Sequence, residues 1–433
     1  MSGTDSGGAV SSQPGGPSKQ HSIASRVQTT CCIVGAGPGG AVMALILARQ
    51  GIDVTLLEAH EDFDRDFRGD TIHPSVLEIL DQLGLADRLL KLRHSKLHSA
   101  TFVTPDGPVT IADFRRLDTK FPFIAMLPQV DFLEFLTNEA KQHPNFHLLM
   151  GASAQELIEE NGEVRGVRYR NLEGWHEVTA NLVIGADGRS SRMRRLAGFD
   201  PIKTSSPMDI LWFRIPRREN DPEGVLAYLG RGHILILLDR LDQWQVGYVI
   251  FKGSYKEVQA AGLPSLRQSI AELMVEFPER VNHLQDWKQM AVLSVESSRV
   301  PRWYRPGLLL IGDAAHVMSP VGGVGINYAV QDAVVAANVV SAPLKSGRIT
   351  TEDLREVQRQ REWPTRIIQG IQNLIQRRVI AAALRSSKGV RVPWIIRFML
   401  RIPGLRDLPG RILAMGVRRV RLQVGLETTA QPE

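Results

Sequence analysis

A glycine-rich turn inside an apolar strand-helix-strand pattern constrains this chain more than any other feature. The β-branched and apolar stretch 27–34 runs directly into Gly35-Ala36-Gly37-Pro38-Gly39-Gly40. A helical pattern follows over 41–50, stops at Gly51, and gives way to a second strand-like stretch over 52–58. The pattern predicts a βαβ unit, and therefore an α/β layer built on a parallel sheet.

The glycines of this turn are spaced as GxGxxG, and each has a physical role. The first permits a tight turn, the second lets backbone approach a pyrophosphate, and the third lets the helix pack closely on the strand. Glu58 ends the next strand, 18 positions after Gly40, where it can accept hydrogen bonds from ribose hydroxyls. The sequence therefore predicts a dinucleotide site rather than a glycine-rich turn of another α/β fold. The predicted contacts are Gly35, Gly37, Pro38, Gly39, Gly40 and Glu58.

A second constellation indicates which dinucleotide binds. A buried-strand pattern ends in Gly312-Asp313, and a glycine-rich turn and a helix beginning near Ile326 follow. The aspartate can fix a ribityl hydroxyl, the turn can lie close to a flat ring, and the helix N-terminus can face the flavin N1 and O2 edge. This arrangement favours a flavin. The predicted cofactor contacts are Gly312, Asp313, Gly325, Ile326 and Asn327, with Pro320, Gly322 and Gly323 forming the environment of the flavin ring and oxygen.

A third motif completes a resemblance to a known family. It is Val183-Ile184-Gly185-Ala186-Asp187-Gly188-Arg189-Ser190-Ser191-Arg192-Met193-Arg194. With the three motifs in this order over about 27–360, the chain resembles the group A flavoprotein monooxygenases, which are the para-hydroxybenzoate hydroxylase-like aromatic hydroxylases. The resemblance implies FAD as cofactor and NAD(P)H as a transient co-substrate. It also implies that O2 adds at flavin C4a and that the hydroperoxide hydroxylates or epoxidises the substrate, so no protein nucleophile is expected.

Single positions carry over from the same resemblance. Asp187 matches the family element near the FAD pyrophosphate, Arg68 matches an arginine near the FAD, and Gln129 matches a polar residue beside the ribityl chain. A surface arginine and a helix-capping residue are the alternative interpretations of the last two. Val324 departs from the family, in which many members carry glutamine at this position.

The strand patterns predict a second domain inserted into the first. Strand-like stretches at 209–215, 233–238 and 244–251 suggest an antiparallel sheet that binds substrate. Their aromatic residues Trp212, Phe213, Tyr248 and Phe251 are substrate-contact candidates, although period-two alternation cannot say which face is lined. The apolar character of the strands favours a hydrophobic aromatic, polyketide-like or isoprenoid substrate.

The predicted fold class is therefore α/β with an α+β second domain. A Rossmann-like FAD-binding domain is interrupted by a sheet domain and followed by C-terminal helices. The predicted divisions are a disordered leader over 1–24, the FAD-binding domain over 25–98, 121–200 and 294–365, the substrate domain over 99–120 and 201–293, and a basic helical segment over 366–433.

The net charge of +6 is unevenly placed along the chain. Residues 366–421 hold thirteen lysines and arginines and one acid, Asp407, so this segment carries +12 and the remainder −6. Its mixture of arginines with large apolar side chains suits contact with an anionic membrane surface. Packing on the acidic body of the enzyme is the alternative. Because no nucleic-acid motif accompanies the charge, a nucleic-acid partner is not expected.

The remaining composition limits location and chemistry. The two cysteines, Cys31 and Cys32, are adjacent in a predicted buried strand, which suits a reducing cytoplasmic compartment. No cluster has metal-ligand spacing, so no metal is expected. Three alternatives stay open: a flavin-dependent halogenase, a prenyl reductase or saturase of the same fold, and a non-catalytic escort protein that binds prenyl lipids. The sequence leaves the oligomeric state open.

Overall fold

The computed structural model describes residues 21–64, 70–104, 107–222, 224–230, 232–386, 398–423 and 425. The strands, in chain order, are β1 Ile23–Val34, β2 Val54–Leu57, β3 Thr71–Ile72, β4 Ser95–Leu97, β5 Ser99–Thr104, β6 Gly107–Asp113, β7 Ile124–Met126, β8 Phe146–Leu149, β9 Ser153–Glu160, β10 Glu163–Asn171, β11 Gly174–Gly185, β12 Ile202–Pro216, β13 Val225–Gly230, β14 His233–Arg240, β15 Gln243–Phe251, β16 Ala291–Arg299, β17 Tyr304–Arg305, β18 Leu308–Leu310 and β19 His316–Val317.

The α-helices are α1 Pro38–Arg49, α2 Pro74–Gln82, α3 Ala86–Leu89, α4 Gln129–Ala140, α5 Arg192–Leu196, α6 Tyr255–Ala260, α7 Leu263–Leu273, α8 Gly325–Lys345, α9 Thr351–Ile375, α10 Ala381–Arg385 and α11 Leu408–Met415. A π-helical turn, Gln376–Ile380, joins α9 to α10. Short 3-10 turns lie at Phe114–Arg116, Pro278–His283, Trp287–Gln289 and Gly312–Ala314. Each helix in the described ranges is too short or too polar to cross a bilayer.

The first sheet is the predicted α/β layer. Its order is β17-β18-β11-β1-β2-β8, and β10 and β9 extend it from β11. The pairs β1–β11, β1–β2, β2–β8 and β11–β18 are parallel. The largest apolar cluster lies here, because β1, β2 and β18 are buried on both faces by helices that include α1 and α8.

The second sheet has the order β19-β16-β12-β15-β14-β13-β5-β6. Its pairs are antiparallel, as predicted, except β13–β5, which is parallel. A parallel pair is possible here because about 120 residues of intervening chain connect the two strands. This sheet also includes β16, which crosses the predicted boundary at residue 293, and β19, which lies beyond it. A small third sheet has the order β3-β7-β4.

Two elements of the FAD-binding layer differ from their predicted bounds. The first helix begins at Pro38 rather than Ala41, since proline at the first helical position has its φ already set. The strand predicted to end in Gly312-Asp313 is only Leu308–Leu310, and a 3-10 turn follows it. The helix predicted near Ile326 begins at Gly325. The predicted boundary at residue 365 falls inside α9.

Candidate functional site

The glycine-rich turn after β1 is closely packed against protein on one side. Gly35 has φ +101°, and a Cβ there would lie 2.5 Å from the carbonyl oxygen of Ala186. A Cβ on Gly40 would lie 2.0 Å from the carbonyl oxygen of Gly35. Gly37 caps α1, and a Cβ there would meet no protein atom within 4 Å. The turn is thus sealed by backbone behind Gly35 and open in front of Gly37, the side a phosphate would use.

Glu58 lies where β2 ends, beside this turn. Its Oε2 accepts a hydrogen bond from the backbone N–H of Ala36 at 3.0 Å, and its Oε1 accepts one from His60 N–H at 3.1 Å. The first turn of α1 contains no acidic residue. The N-terminus of α1, which has no acidic side chain beside it, can bind a phosphate, and the fixed carboxylate of Glu58 can bind a neighbouring ribose hydroxyl.

Asp187, in the third motif, is engaged in capping a helix. Its Oδ2 accepts from the backbone N–H groups of Arg192 at 2.6 Å and Met193 at 3.0 Å, and its Oδ1 accepts from the Ser191 hydroxyl. These bonds fix the start of α5. Its predicted contact with the pyrophosphate region stays a prediction.

Arg194, on α5, connects the third motif to the second. Its guanidinium donates to the carbonyl oxygens of Ala314 at 3.0 Å and Asp313 at 3.3 Å. Burial lowers the pKa of this guanidinium, although Asp187 raises it. Arg194 therefore holds the backbone of the turn that carries the predicted ribityl ligand.

The first and second motifs converge on one residue of α8. A Cβ on Gly39 would lie 3.1 Å from the Ala329 carbonyl oxygen, and a Cβ on Gly312 would lie 3.0 Å from the Ala329 Cβ. Gly312 itself has φ +57°. The structure thus brings the GxGxxG turn and the Gly312-Asp313 turn together across the start of α8.

A buried charged cluster lies behind Asp313. Asp332 Oδ2 accepts from the Gly312 N–H at 3.0 Å and lies 2.6 Å from His316 Nε2, and Oδ1 accepts from Arg361 Nε at 2.7 Å. Burial alone would raise the pKa of Asp332, but His316 and Arg361 hold it below its ordinary value. This cluster ties the turn to α8 and α9, and the sequence patterns did not identify it.

The turn at 320–323 is held by side chains on α9. Gly323 N–H donates to Pro320 O at 3.0 Å, and both Gly322 and Gly323 have positive φ. Gln372 Nε2 donates to the carbonyl oxygens of Ser319 at 2.9 Å and Val321 at 2.8 Å. These bonds fix the backbone of the turn predicted to face the flavin ring.

The start of α8 offers an open N-terminus. A Cβ on Gly325 would meet no protein atom within 4 Å. Asn327 is fully buried, its Oδ1 accepts from the Ser75 hydroxyl at 2.6 Å, and its Nδ2 has no hydrogen-bond partner among the described residues. Val324, which precedes this N-terminus, is buried in an apolar cluster with Met318 and Tyr328. The open helix start and the unpaired amide N–H fit the flavin end of FAD.

Gln129 and Arg68 complete the predicted contacts. Gln129 is the first residue of α4, and its N–H donates to Asp70 Oδ1 at 3.2 Å. Burial raises the pKa of Asp70 to about 6, although Arg240, at 3.1 Å, and the Gln129 N–H lower it. Arg68 lies outside the described residues. Both contacts stay predictions.

The four aromatic substrate candidates do not share one face of the second sheet. Phe213 and Tyr248 are buried in the cluster that packs under α7, so they do not line the opposite face. Trp212 lies on that opposite face, in a cluster with Val321 of the 320–323 turn. Phe251 ends β15 and is 43% exposed. Among the four candidates, the geometry supports Trp212 best as a residue facing the flavin turn.

The described residues contain no metal-ligand cluster, and both cysteines are buried. In the described ranges, no group of three or more His, Cys, Asp or Glu side chains could hold a metal ion. Burial raises the pKa of Cys32 to about 12 and raises that of Cys31 as well. Both thiols are fully buried in β1, where they act as small apolar side chains.

We expect Asp313→Ala to lower FAD retention, because the substitution removes the carboxylate predicted to bind the ribityl chain. The measurement is the ratio of flavin to protein after purification and desalting, compared with Asp118→Ala, which changes an exposed aspartate. The Asp118 variant should match the wild type. Unchanged flavin content in Asp313→Ala would contradict the assigned role.

The chain is similar in sequence to known FAD-binding proteins. The sequence profile described as "FAD binding domain" matches residues 28–361. The chain is 32% identical over 408 residues to 6-methylpretetramide 4-monooxygenase of Streptomyces rimosus, which covers 93% of this chain and 96% of the relative. It is 28% identical over 318 residues to 12-dehydrotetracycline 5-monooxygenase/anhydrotetracycline 6-monooxygenase of Streptomyces rimosus subsp. rimosus, over 70% of this chain and 60% of that relative's length.

A solved structure matches the fold over most of the chain. It is the OxyS anhydrotetracycline hydroxylase from Streptomyces rimosus, with a TM-score of 0.71 and 23% sequence identity. The match covers 91% of this chain and 77% of that structure. At this identity the likeness concerns the fold alone.

Proposed function

Since this chain belongs to the FAD-binding family of group A flavoprotein monooxygenases, we propose that it hydroxylates a flat, largely apolar, polyketide-like aromatic substrate with NAD(P)H and O2. The 32% identical relative is named for 6-methylpretetramide, which supports this substrate class. An isoprenoid substrate and epoxidation are the less favoured options. The class of reaction places the enzyme in secondary metabolism.

One observation carries the substrate proposal: an apolar sheet face meets the 320–323 turn. Val321 of this turn packs against the cluster that contains Ile210, Trp212 and Val249. Trp212 lies beside Gly247, where a Cβ would approach the indole to 2.9 Å. Ala383 and Leu384 of α10 cover part of this cluster, whereas Trp212 and Val321 are only partly buried against it. A flat aromatic molecule suits a partly exposed indole and aliphatic side chains beside the turn.

The residues of the site would position the cofactor and the substrate and exclude water. FAD, when bound, supplies electron transfer from NAD(P)H and the activation of O2. The N–H groups at the start of α1 would bind the pyrophosphate, and Glu58 the ribose. Asp313 would hold the ribityl chain, and the N–H groups at the start of α8 would face the N1 and O2 edge. The positive end of the α8 dipole would stabilise negative charge at that edge. Gln372 would keep the 320–323 turn fixed beside the ring.

The test is a substrate panel on the purified, yellow protein. Absorbance near about 450 nm reports bound flavin and separates an enzyme from a non-catalytic prenyl-lipid escort. Polyketide-like aromatics should stimulate NAD(P)H oxidation and O2 consumption together, whereas small benzoates should not. Stimulation without O2 consumption would indicate a reductase or saturase, and halide-dependent product would indicate a halogenase.

We also propose that the basic C-terminal segment touches an anionic membrane surface. Among its described residues, Phe398, Met399, Leu405 and Leu408 are exposed apolar side chains, and Arg401 and Arg411 are exposed beside them. Exposed apolar residues flanked by arginines suit insertion at lipid headgroups.

Liposome sedimentation tests this surface. We expect the full chain to bind vesicles that contain anionic lipid and to bind neutral vesicles weakly. The variant Leu405→Glu/Leu408→Glu should lose most of the binding while keeping its flavin. Equal sedimentation of wild type and variant would contradict membrane contact and leave these residues as ordinary surface.

A further inference from the structure

The last part of the basic segment returns to the site. Residues 408–423, which we name the C-terminal strap, begin with α11 and cross α2 and α8. Polar side chains fasten the strap to the body: His73 Nδ1 bonds Leu413 O at 2.8 Å, and Gln331 Nε2 donates to Met415 O at 3.3 Å. His73 is fully buried, and its burial lowers its pKa to about 4. It is therefore neutral at neutral pH and keeps this contact.

Further bonds fasten the end of the strap. Arg419 donates twice to the Glu78 carboxylate on α2, once at 2.8 Å. Asn338 on α8 donates to Arg421 O at 2.9 Å and accepts from Gln423 N–H at 2.9 Å. Val420 and Leu422 pack against the main apolar cluster. The strap is thus attached to the body at several points from Leu413 to Gln423.

This attachment places Leu413 against the 320–323 turn. A Cβ on Gly322 would lie 2.7 Å from Leu413 Cδ1, so the leucine is in direct contact with the turn predicted to face the flavin ring. The same side chain packs against the cluster of Met318, Val324 and Tyr328. It also packs against a second cluster, which contains Ile124 and Met126 of β7.

Leu413 therefore lies where three surfaces meet. Leu238, which is on the same face of the second sheet as Trp212, packs against the same cluster as Leu413. Although Leu413 contacts two apolar clusters, its side chain is only half-buried. Leu413 is thus a partly exposed side chain in contact with the 320–323 turn and packed in the cluster that also holds Leu238 of the sheet face.

We propose that Leu413 is a specificity-determining residue, which limits how far an aromatic substrate extends past the 320–323 turn. This inference rests on the proposed function, because it assumes an aromatic substrate on that sheet face. A leucine at such a boundary excludes rings by its volume, and a change of a few methylene groups in a pocket alters discrimination between substrates by roughly ten-fold or more. The sequence segment involved lies outside the 28–361 match to the family profile.

The experiment compares two aromatic substrates that differ by one fused ring. Leu413→Ala should raise the ratio of kcat/KM for the larger substrate over the smaller by about ten-fold, and Leu413→Phe should lower it by a similar factor. Because the ratio is taken on one enzyme preparation, it does not depend on the fraction of protein that is folded or loaded with FAD.

Leu172→Ala is the matched control, since Leu172 is an exposed leucine in the turn between β10 and β11, away from every proposed site. Its kcat/KM ratio should equal that of the wild type. If the wild type turns over neither substrate, the proposed function fails. If the wild type turns over both and the two Leu413 variants keep its ratio, the proposed function stands and the assignment of Leu413 is overturned.

Discussion

Replacing Asp332 by alanine is expected to lower the free energy of unfolding by about 3–5 kcal/mol, the usual cost of removing one partner of a buried ion pair. Asp332 is fully buried and binds Gly312 N–H, His316 and Arg361. Without the carboxylate, the guanidinium of Arg361 stays buried with a positive charge and no acid beside it. Its Nη1 and Nη2 have no hydrogen-bond partners among the described residues, so the Tyr328 ring, 5.3 Å from the guanidinium carbon, would be the main remaining contact.

Denaturant unfolding of the FAD-free protein measures this loss. Glu356→Ala is the matched control, because Glu356 pairs with Arg359 on the exposed side of α9 and an exposed pair contributes little. The double variant Asp332→Leu/Arg361→Met should be more stable than Asp332→Ala alone, since it leaves no unpaired charge. An Asp332→Ala protein as stable as the Glu356→Ala protein would contradict this account of the cluster.

Replacing Gly40 by alanine is expected to destabilise the FAD-free protein by about 3 kcal/mol and to abolish FAD retention. The new Cβ would lie 2.0 Å from the carbonyl oxygen of Gly35, a backbone atom that cannot rotate away. Gly35 cannot retreat either, because the Ala186 carbonyl is behind it. The β1–α1 turn would have to open, and the N–H groups of α1 would lose their common direction.

Gly37→Ala separates folding from binding at the same turn. A Cβ at Gly37 meets no protein atom within 4 Å, so this variant should unfold like the wild type. It should nevertheless retain less FAD, because the methyl group enters the space predicted for the phosphates. Thermal unfolding and flavin content should therefore diverge in Gly37→Ala and fall together in Gly40→Ala. Equal stability of the two variants would show that the close approach at Gly40 is not needed.

Much of the fold could be predicted because it depends on local patterns. The GxGxxG spacing, the caps and the apolar strands identify β1, α1 and β2 within a few residues. Period-two alternation along β12 separates Trp212 from Phe213. The alternation could not tell which face meets the flavin turn. One face of the sheet is covered by α7, which lies some fifty residues later in the chain, and the strand pattern does not show which face that is.

The supporting side chains were harder to find, because their partners are distant in sequence. Leu413 is about 90 residues from Gly322, and no spacing rule joins an apolar leucine to a glycine turn at that separation. The glutamines of α9 did leave a signal. Gln358, Gln369 and Gln372 are buried, and their spacing places them on one face of the helix. Because buried polar groups are nearly always hydrogen-bonded, several buried glutamines on one helix face indicate that the facing segment presents backbone carbonyl oxygens to them.

The contacts of the basic segment also depend on partners that are distant in the sequence. Its +12 charge could be counted from the sequence, but the count could not separate residues that pack on the body from those that face outward. In the described part, Arg419 pairs with Glu78 on the body, whereas Arg401 and Arg411 are exposed. Packing on the body therefore applies to Arg419, while membrane contact of the outward-facing residues stays a prediction.

The most direct test of the central claim is the origin of the oxygen atom in the product. The purified, FAD-loaded protein is incubated with NAD(P)H, a polyketide-like aromatic substrate and isotopically labelled O2. The mass of the product is then measured by mass spectrometry. We predict a hydroxylated product in which the added oxygen atom comes from labelled O2. A product that has gained hydrogen without oxygen, or a hydroxyl group whose oxygen comes from water, would contradict the account.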